Sequence, residues 1–291
     1  MNIGEKIKKL RTEKMMTQAE LSGDQVTRNM LSLIEKGKAV PSLQTLLYIA
    51  SRLNVTAAFL LSDESEEYML SKYSLMADIK LAFKKKNYRI CMDLCAKYGK
   101  KADDEIKLIM AESAFHLALE ELFSDRVRSS WSYLDDAVLY AGQTVYNSSH
   151  ITARAMLLLD YLSVLSPSLV ADNADMDSFE PESKKSYYLD DSFLRYVYFV
   201  SIVKRGGEVF GETGVAAYDR HLECSKFMRN GEYEKAFSML NDILRIDERL
   251  SGVVLFNIFN DLEECCINLG NAKSAGSYAL QKVSQLERIL S

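Results

Sequence analysis

The sequence predicts an almost entirely α-helical protein, and three observations lead to this expectation. Only three prolines occur in 291 residues, so few positions would break a helix; they are Pro41, Pro167 and Pro181. Apolar residues recur with a period near 3.6 along much of the chain. No region sustains the period-two alternation of a half-buried β-strand. The length of the chain favours two domains.

The composition is typical of a soluble globular protein, with 48% hydrophobic and 26% charged residues. No run of apolar residues is long enough to cross a membrane, and the N-terminus lacks the apolar core of a signal peptide. Five cysteines without a disulfide-framework spacing fit reduced thiols. We therefore expect a cytoplasmic protein that has no membrane partner.

The charge divides sharply along the chain. Residues 1–62 hold nine Lys/Arg and five Asp/Glu, a net charge of +4, whereas residues 63–291 hold 27 and 36, a net charge of −9. This asymmetry is expected when only the first domain meets phosphate, because the acidic remainder would be repelled by nucleic acid. The acidic run at 63–67 favours a boundary there, although it could equally be the first turn of a linking helix.

Residues 1–62 are predicted to form five short helices. Thr17 and Thr27 are good N-caps for the second and third helices, and the turn between these two helices falls around residues 23–26. Gly37 marks the end of the third helix. This is the pattern of a helix-turn-helix, whose second helix presents its first residues to base edges in the DNA major groove. The predicted core of this domain comprises Leu21, Leu31, Ile34, Leu43, Leu46 and Leu53.

Residues 73–291, after a linker or linking helix at 63–72, are predicted to form stacked helical hairpins. Two helix starts share a glycine followed by small and aromatic residues, at Gly231–Ala236 and at Leu269–Ala279, and a weaker example begins at Asn87. The two glycines, Gly231 and Gly270, lie 39 residues apart, somewhat more than the period of a tetratricopeptide repeat. Stacked hairpins of this kind leave a concave inner surface. Residues 166–186 are predicted to form a long loop.

Residues 1–62 resemble the Xre/Cro family of phage-repressor-like DNA-binding domains. The resemblance rests on Ile7, Leu10 and Arg11, on Thr17, Gln18, Glu20 and Leu21, on Arg28–Ser32 with Ile34, Glu35 and Gly37, on Pro41–Leu43, and on Leu53–Val55. It implies an all-α, five-helix, lambda-repressor-like domain and double-stranded DNA as partner. In this family the Glu35 position braces the domain, with Arg11 as its natural ion-pair partner.

An Xre-like domain joined to a tetratricopeptide-like body also resembles the peptide-pheromone-responsive regulators of Gram-positive bacteria. That resemblance implies a homodimer whose body binds a short signalling peptide. An alternative is a protein-interaction scaffold that the first domain localises to DNA, with a protein partner on the concave face and no small effector.

Eight residues are candidates for DNA contacts. Arg28 and Asn29 could pair with guanine and adenine edges, respectively. Gln18, which matches the family's phosphate-contacting position, could instead be an exposed helix start. Lys36 and Lys38 could reach the DNA backbone or be merely solvated. Some of Thr27, Ser32 and Leu33 could face bases, Leu33 meeting a thymine methyl group.

Asn257, Asn260 and Tyr196 are the candidates for effector binding. An Asn amide can bridge a peptide backbone through a donor and an acceptor. Tyr196 belongs to an aromatic-rich stretch with Tyr187, Tyr188, Tyr198 and Phe199. Most of these aromatic residues could equally pack between hairpins.

No motif indicates an enzyme, a cofactor or a metal site. The glycines at 206–214 lack the Lys-Ser/Thr and the flanking strand of a phosphate-binding loop. Cys91 and Cys95 lack a second ligand pair, so buried packing is favoured over zinc or a redox sensor. We therefore expect a regulator that acts by binding.

Overall fold

The computed structural model describes residues 2–62, 64–163, 165, 191–245 and 250–291. Every regular element within these ranges is helical, which confirms the all-α prediction. The chain divides into two compact units, residues 1–81 and 82–291. The predicted loop at 166–186, and Tyr187 and Tyr188, lie outside the described residues. None of the described helices combines the length and the apolar character that a membrane crossing needs.

Five helices form the first unit's helix-turn-helix region. They are α1 (Ile3–Glu13), α2 (Gln18–Ser22), α3 (Arg28–Glu35), α4 (Leu43–Arg52) and α5 (Ala57–Leu61). Each helix is preceded by a residue whose side-chain oxygen accepts the backbone N–H three positions later; these caps are Asn2, Thr17, Thr27, Ser42 and Thr56. Such a cap satisfies an otherwise unpaired N–H, which is why these sequence positions fix where the helices begin.

The core of these five helices contains five of the six predicted residues. Leu21, Leu31, Ile34, Leu46 and Leu53 are buried, together with Ile7, Val26, Ile49, Ala50 and Leu60. The prediction for Leu43 was wrong, because its side chain is 67% exposed. Leu43 shares the period of Leu46 and Ala50, but it is the first residue of α4 and lies beyond the surface that this helix buries.

A long helix, α6 (Glu64–Lys84), begins in the first unit and ends in the second. The second unit continues with α7 (Tyr88–Ala96), α8 (Asp104–Phe123), α9 (Val127–Gly142), α10 (Ser149–Ser163), α11 (Ser192–Lys204), α12 (Ala216–Arg229), α13 (Tyr233–Ile243), α14 (Gly252–Asn268) and α15 (Ala272–Leu290). Helices adjacent in this order pack against one another, as expected for stacked hairpins. Their shared core includes Phe115, Trp131, Phe193 and Tyr196.

One turn recurs between paired helices of the second unit. Lys86, Asp125, Gly231 and Gly270 all have positive φ, between 57° and 77°. Each donates its N–H to the carbonyl three residues earlier, and the next residue donates to the carbonyl five residues earlier. This Schellman geometry ends one helix and starts the next. The three predicted helix starts each follow such a turn, and the one at Asp125 was missed because no glycine marks it.

Helix α15 returns to the turn between α8 and α9. Arg128 Nε donates to the carbonyl of Leu290 at 2.8 Å, and Arg288 forms an ion pair with Asp125 at 2.5 Å. The other oxygen of Asp125 accepts the N–H of Gly252 at 2.6 Å, so it caps α14 from a distant part of the chain. These bonds connect the α8–α9 hairpin with the last hairpin, α14–α15.

Candidate nucleic-acid interface and effector cavity

The first turn of α3 presents polar side chains outward. Thr27, Arg28 and Asn29 are exposed, while Leu31 and Ile34 on the opposite face are buried where α3 packs on α1 and α2. Among the described residues, no hydrogen bond or ion pair engages the side chains of Arg28 and Asn29. This arrangement leaves a guanidinium and an amide free to meet base edges.

The end of α3 carries two exposed lysines. Gly37, with a φ of 67°, donates its N–H to Ile34, and Lys38 donates its N–H to Leu33 at 2.8 Å. The chain therefore leaves the helix in a Schellman turn, with Lys36 and Lys38 on either side of the glycine. Ser32 and Leu33 are half-buried, so they offer less surface than Arg28 and Asn29.

Gln18 is tied to a buried ionic network. Its Nε2 donates to Glu35 at 2.7 Å, and Arg11 donates to both oxygens of Glu35 at 2.6 and 3.1 Å. Arg11 also donates to the carbonyl of Met16 at 2.8 Å. The expected Arg11–Glu35 ion pair is thus confirmed, and it joins α1, α2 and α3. One hydrogen of the Gln18 amide is used by Glu35, and the other remains free for a phosphate.

The three predicted effector residues lie in one cavity of the second unit. Tyr196, Asn257 and Asn260 line an open cavity of about 430 Å³ between α11, α12 and α14. Its other lining residues are Val200, Val203, Lys204, His221, Ser225, Met228, Arg229, Tyr233, Asp261 and Glu264. The sequence indicated Asn257 and Asn260 by their amide chemistry and Tyr196 by its aromatic-rich stretch, whereas the packing of the helices places all three in one cavity.

A series of hydrogen bonds between buried and half-buried side chains runs beneath this cavity. Asn257 Nδ2 donates to the Tyr161 hydroxyl at 2.8 Å, and the Tyr161 and Tyr196 hydroxyls are hydrogen-bonding neighbours. The Tyr196 hydroxyl lies 2.6 Å from His221 Nδ1, and His221 Nε2 lies 3.0 Å from Asp261. Burial raises the pKa of both Tyr161 and Tyr196, so both stay protonated. These hydrogen bonds link four helices, α10, α11, α12 and α14, next to the cavity.

The cavity's ionisable residues were not singled out from the sequence as binding residues. Lys204, Arg229, Asp261 and Glu264 belong to three different helices and carry no shared motif. A weak signal existed for two of them, because Asp261 and Glu264 follow Asn257 and Asn260 at helical spacing.

All five cysteines are buried, and none of them forms a disulfide bond within the described residues. Burial raises the pKa of Cys224 and of Cys265 to about 12. The Cys95 thiol hydrogen-bonds to Cys91 and lowers the pKa of Cys91 to about 7. Within the described ranges, no group of three or more His, Cys, Asp or Glu side chains is arranged to hold a metal ion.

Comparison with known families identifies the first unit. Residues 7–60 match the family model described as "Helix-turn-helix". These residues are therefore a helix-turn-helix domain of the Xre type, the class that the caps, the core and the exposed first turn of α3 define. The chain therefore carries a DNA-binding domain of the kind that transcriptional regulators use.

Solved structures of three regulators are similar to this chain. Bacillus thuringiensis PlcR, in complex with the peptide PapR7 and DNA, is 16% identical over 100% of this chain and 99% of that one, with a TM-score of 0.24. Streptococcus dysgalactiae Rgg2, a SHP pheromone receptor, is 15% identical over 84% and 99%, with a TM-score of 0.22. The apo competence regulator ComR from Streptococcus vestibularis is 18% identical over 97% and 91%, also at 0.22.

A comparison with curated protein sequences finds no match.

Proposed function

We propose that the protein is a cytoplasmic, sequence-specific transcriptional regulator that reads DNA with the first turn of α3. The observation that carries this proposal is the exposure of Arg28 and Asn29 at the start of a helix whose other face is buried. Arg pairs with guanine O6 and N7, and Asn with adenine N6 and N7, each contributing about 1–3 kcal/mol of discrimination. Thr27 in the same turn, and Ser32 and Leu33 one turn later, are secondary base contacts.

Contacts to the DNA backbone would set the position of α3. Lys36 and Lys38 are exposed at the end of the helix, and phosphate contacts of this kind fix register without reading sequence. Gln18 offers its second amide hydrogen to a phosphate, while the bond to Glu35 holds the side chain in place. The net charge of +4 over residues 1–62 favours this encounter.

The regulator would act as a homodimer on a roughly palindromic operator. Helix-turn-helix dimers place their two recognition helices in successive major-groove faces, about 34 Å apart. The body would supply the dimer contacts, as the resemblance to peptide-responsive regulators implies.

The effector would be a short peptide in the cavity between α11, α12 and α14. Asn257 uses its Nδ2 on Tyr161 and so keeps its carbonyl oxygen, whereas Asn260 accepts from Lys282 and so keeps its Nδ2. Together they offer one acceptor and one donor, which matches the N–H and C=O of a peptide group. Binding would change DNA affinity only if the peptide favours one arrangement of the dimer over the other.

Selection of binding sites from a random DNA pool tests whether the first turn of α3 recognises a DNA sequence. The wild type should enrich a discrete palindromic motif, which Arg28→Ala/Asn29→Ala should lose. Lys36→Ala/Lys38→Ala is the matched control: it should retain the motif, bind more weakly, and lower the slope of log affinity against log salt by about one per lysine. A motif that survives Arg28→Ala/Asn29→Ala would refute the assignment.

Peptide dependence of DNA binding separates the effector hypothesis from the scaffold alternative. A peptide that binds the purified protein and shifts operator affinity supports an effector. That binding should weaken in Asn260→Ala and not in Asn268→Ala, which alters an exposed Asn of the same helix outside the cavity. Binding of one stoichiometric protein partner, with no peptide dependence, would favour the scaffold.

A further inference from the structure

One end of the cavity carries two carboxylates, those of Asp261 and Glu264. The cavity is lined by two cationic and two acidic side chains, Lys204, Arg229, Asp261 and Glu264, besides His221. Arg229 is engaged by the carbonyls of Val203 and Gly207 at the end of α11. Its guanidinium therefore completes a helix C-terminus, which limits its availability to a ligand.

Lys204 and Glu264 have different electrostatic surroundings. The charges of Asp160 and Asp261 act on Lys204 and partly oppose the desolvation that lowers its pKa. Burial and the like charge of Asp261 both raise the pKa of Glu264, and among the described residues no ion pair engages its carboxylate. Asp261 also contributes to the raised pKa values of Tyr161, Tyr196, Cys224 and Cys265. The potential around Asp261 and Glu264 is therefore negative.

The geometry of α14 places this negative end next to the backbone-binding amides. Asn257, Asn260, Asp261 and Glu264 follow one another at helical spacing and all line the cavity. Like charges three residues apart on a helix repel each other, so a cation between them would be stabilised by both. A peptide whose backbone meets the two Asn side chains would reach Asp261 and Glu264 within one helical turn.

We propose that the effector is a peptide that presents a cationic group, an ammonium or a guanidinium, to Asp261 and Glu264 while its backbone pairs with Asn257 and Asn260. This inference rests on the proposed peptide effector and specifies its chemistry. The cation can be the amino terminus of the peptide or a Lys or Arg side chain, because both offer the same charged N–H donors.

The test is binding of a positional-scanning library of short synthetic peptides to the full-length protein, measured by fluorescence polarisation. Each peptide is made with a free and with an acetylated amino terminus, and each Lys or Arg is replaced by norleucine in a parallel set. The wild type should lose about tenfold in affinity when the cation is removed, the size of a lost charge-assisted hydrogen bond. If acetylation lowers the affinity, the cation is the amino terminus; if norleucine lowers it, the cation is the Lys or Arg side chain.

Variants of the two carboxylates test whether the preference for a cation arises in the cavity. Glu264→Gln should reduce affinity for the cationic peptides by about tenfold and leave uncharged peptides unaffected. Asp261→Asn tests the second carboxylate, and circular dichroism checks that the loss of its bond to His221 leaves the fold intact. Glu223→Gln removes the same charge from an exposed position on α12 outside the cavity, and should change nothing.

The remaining outcomes are distinct. Peptides that bind without a preference for a cation, or whose preference survives both carboxylate variants, overturn this inference and leave the peptide effector standing. A preference for acidic residues would assign the specificity to Lys204 instead and also overturn it. A library with no binder overturns the peptide effector and this inference together.

Discussion

Glu35 illustrates how much one side chain contributes to the first unit. Only 2% of the Glu35 side chain is exposed, yet its carboxylate accepts hydrogen bonds from Arg11 on α1 and Gln18 on α2. Burial alone would raise its pKa, but hydrogen bonds from Arg11 and Gln18 outweigh burial and hold the pKa below the ordinary value of 4.5. A carboxylate with a lowered pKa contributes stability above its unfolded-state pKa, and this contribution is lost as the pH falls through the folded-state value.

Replacement of Glu35 by Gln should therefore destabilise the helix-turn-helix domain. Removing one partner of a buried ion pair leaves Arg11 uncompensated and costs about 3 kcal/mol. Hydrogen exchange of peptides from residues 2–62, measured in the full chain at neutral pH, should accelerate. The variant should also lose less additional stability than the wild type as the pH falls below 4.5, since it has no carboxylate to protonate at this site.

Glu13→Gln is the control for this substitution, because Glu13 lies on α1 with its side chain 56% exposed and only a distant contact to Lys9. Equal effects of the two variants, or an unchanged pH profile in Glu35→Gln, would contradict a bracing role for Glu35.

At the scale of elements, the contact between α1 and α3 depends on a glycine. A Cβ added to Gly4 would lie 1.9 Å from the carbonyl oxygen of Ile34, so any other residue would push the two helices apart. The close approach also explains why a glycine is tolerated inside α1, where it costs helix propensity.

Gly4→Ala should destabilise the first unit and weaken DNA binding, because α3 is displaced from its support. Gly276→Ala provides the opposite case. Gly276 also lies inside a helix, α15, but a Cβ there meets nothing within 4 Å, so Ala should stabilise α15 by up to about 1 kcal/mol. Urea denaturation of the two variants measures the loss and the gain of stability, and operator affinity measures the effect of Gly4→Ala on DNA binding. Tolerance of Ala at position 4 would show that the contact is looser than described.

Helix starts were the elements best predicted by the sequence. Thr17, Thr27 and Ser42 act within three residues of themselves, so their effect can be read locally. Leu43 was misassigned because helical periodicity says which side of a helix a residue lies on, not whether another element covers it. Asp125 was missed because a non-glycine residue in the left-handed region carries no clear sequence mark.

At the scale of the whole molecule, the two units have separate hydrophobic cores. Ile7, Leu31 and Ile49 belong to the first core, whereas Phe115 and Trp131 belong to the second. Proteins with separate cores commonly depart from a single two-state transition. The charge of the chain divides earlier than the cores do, with +4 over residues 1–62 and −9 over residues 63–291.

Unfolding in urea should consequently occur in two steps. Trp131, the single tryptophan, is buried in the second unit, so its fluorescence should report that unit alone. Circular dichroism, which follows the helices of both units, should show an additional transition. Glu35→Gln should move only the transition that is silent in fluorescence. Coincident transitions by both probes would show that the units unfold together.

The sequence by itself determined the helical character, the helix starts, the division of charge and the helix-turn-helix domain, because each depends on residues close together in the chain. Only the tertiary structure decided that Asp125 caps α14, that Asn257 bonds Tyr161 and that His221 meets Asp261. These partners lie 127, 96 and 40 residues apart, and each contact exists because packed helices exclude water and require buried polar groups to find one another. Local spacing fixes a helix, whereas the pairing of distant polar groups is set by how the helices pack.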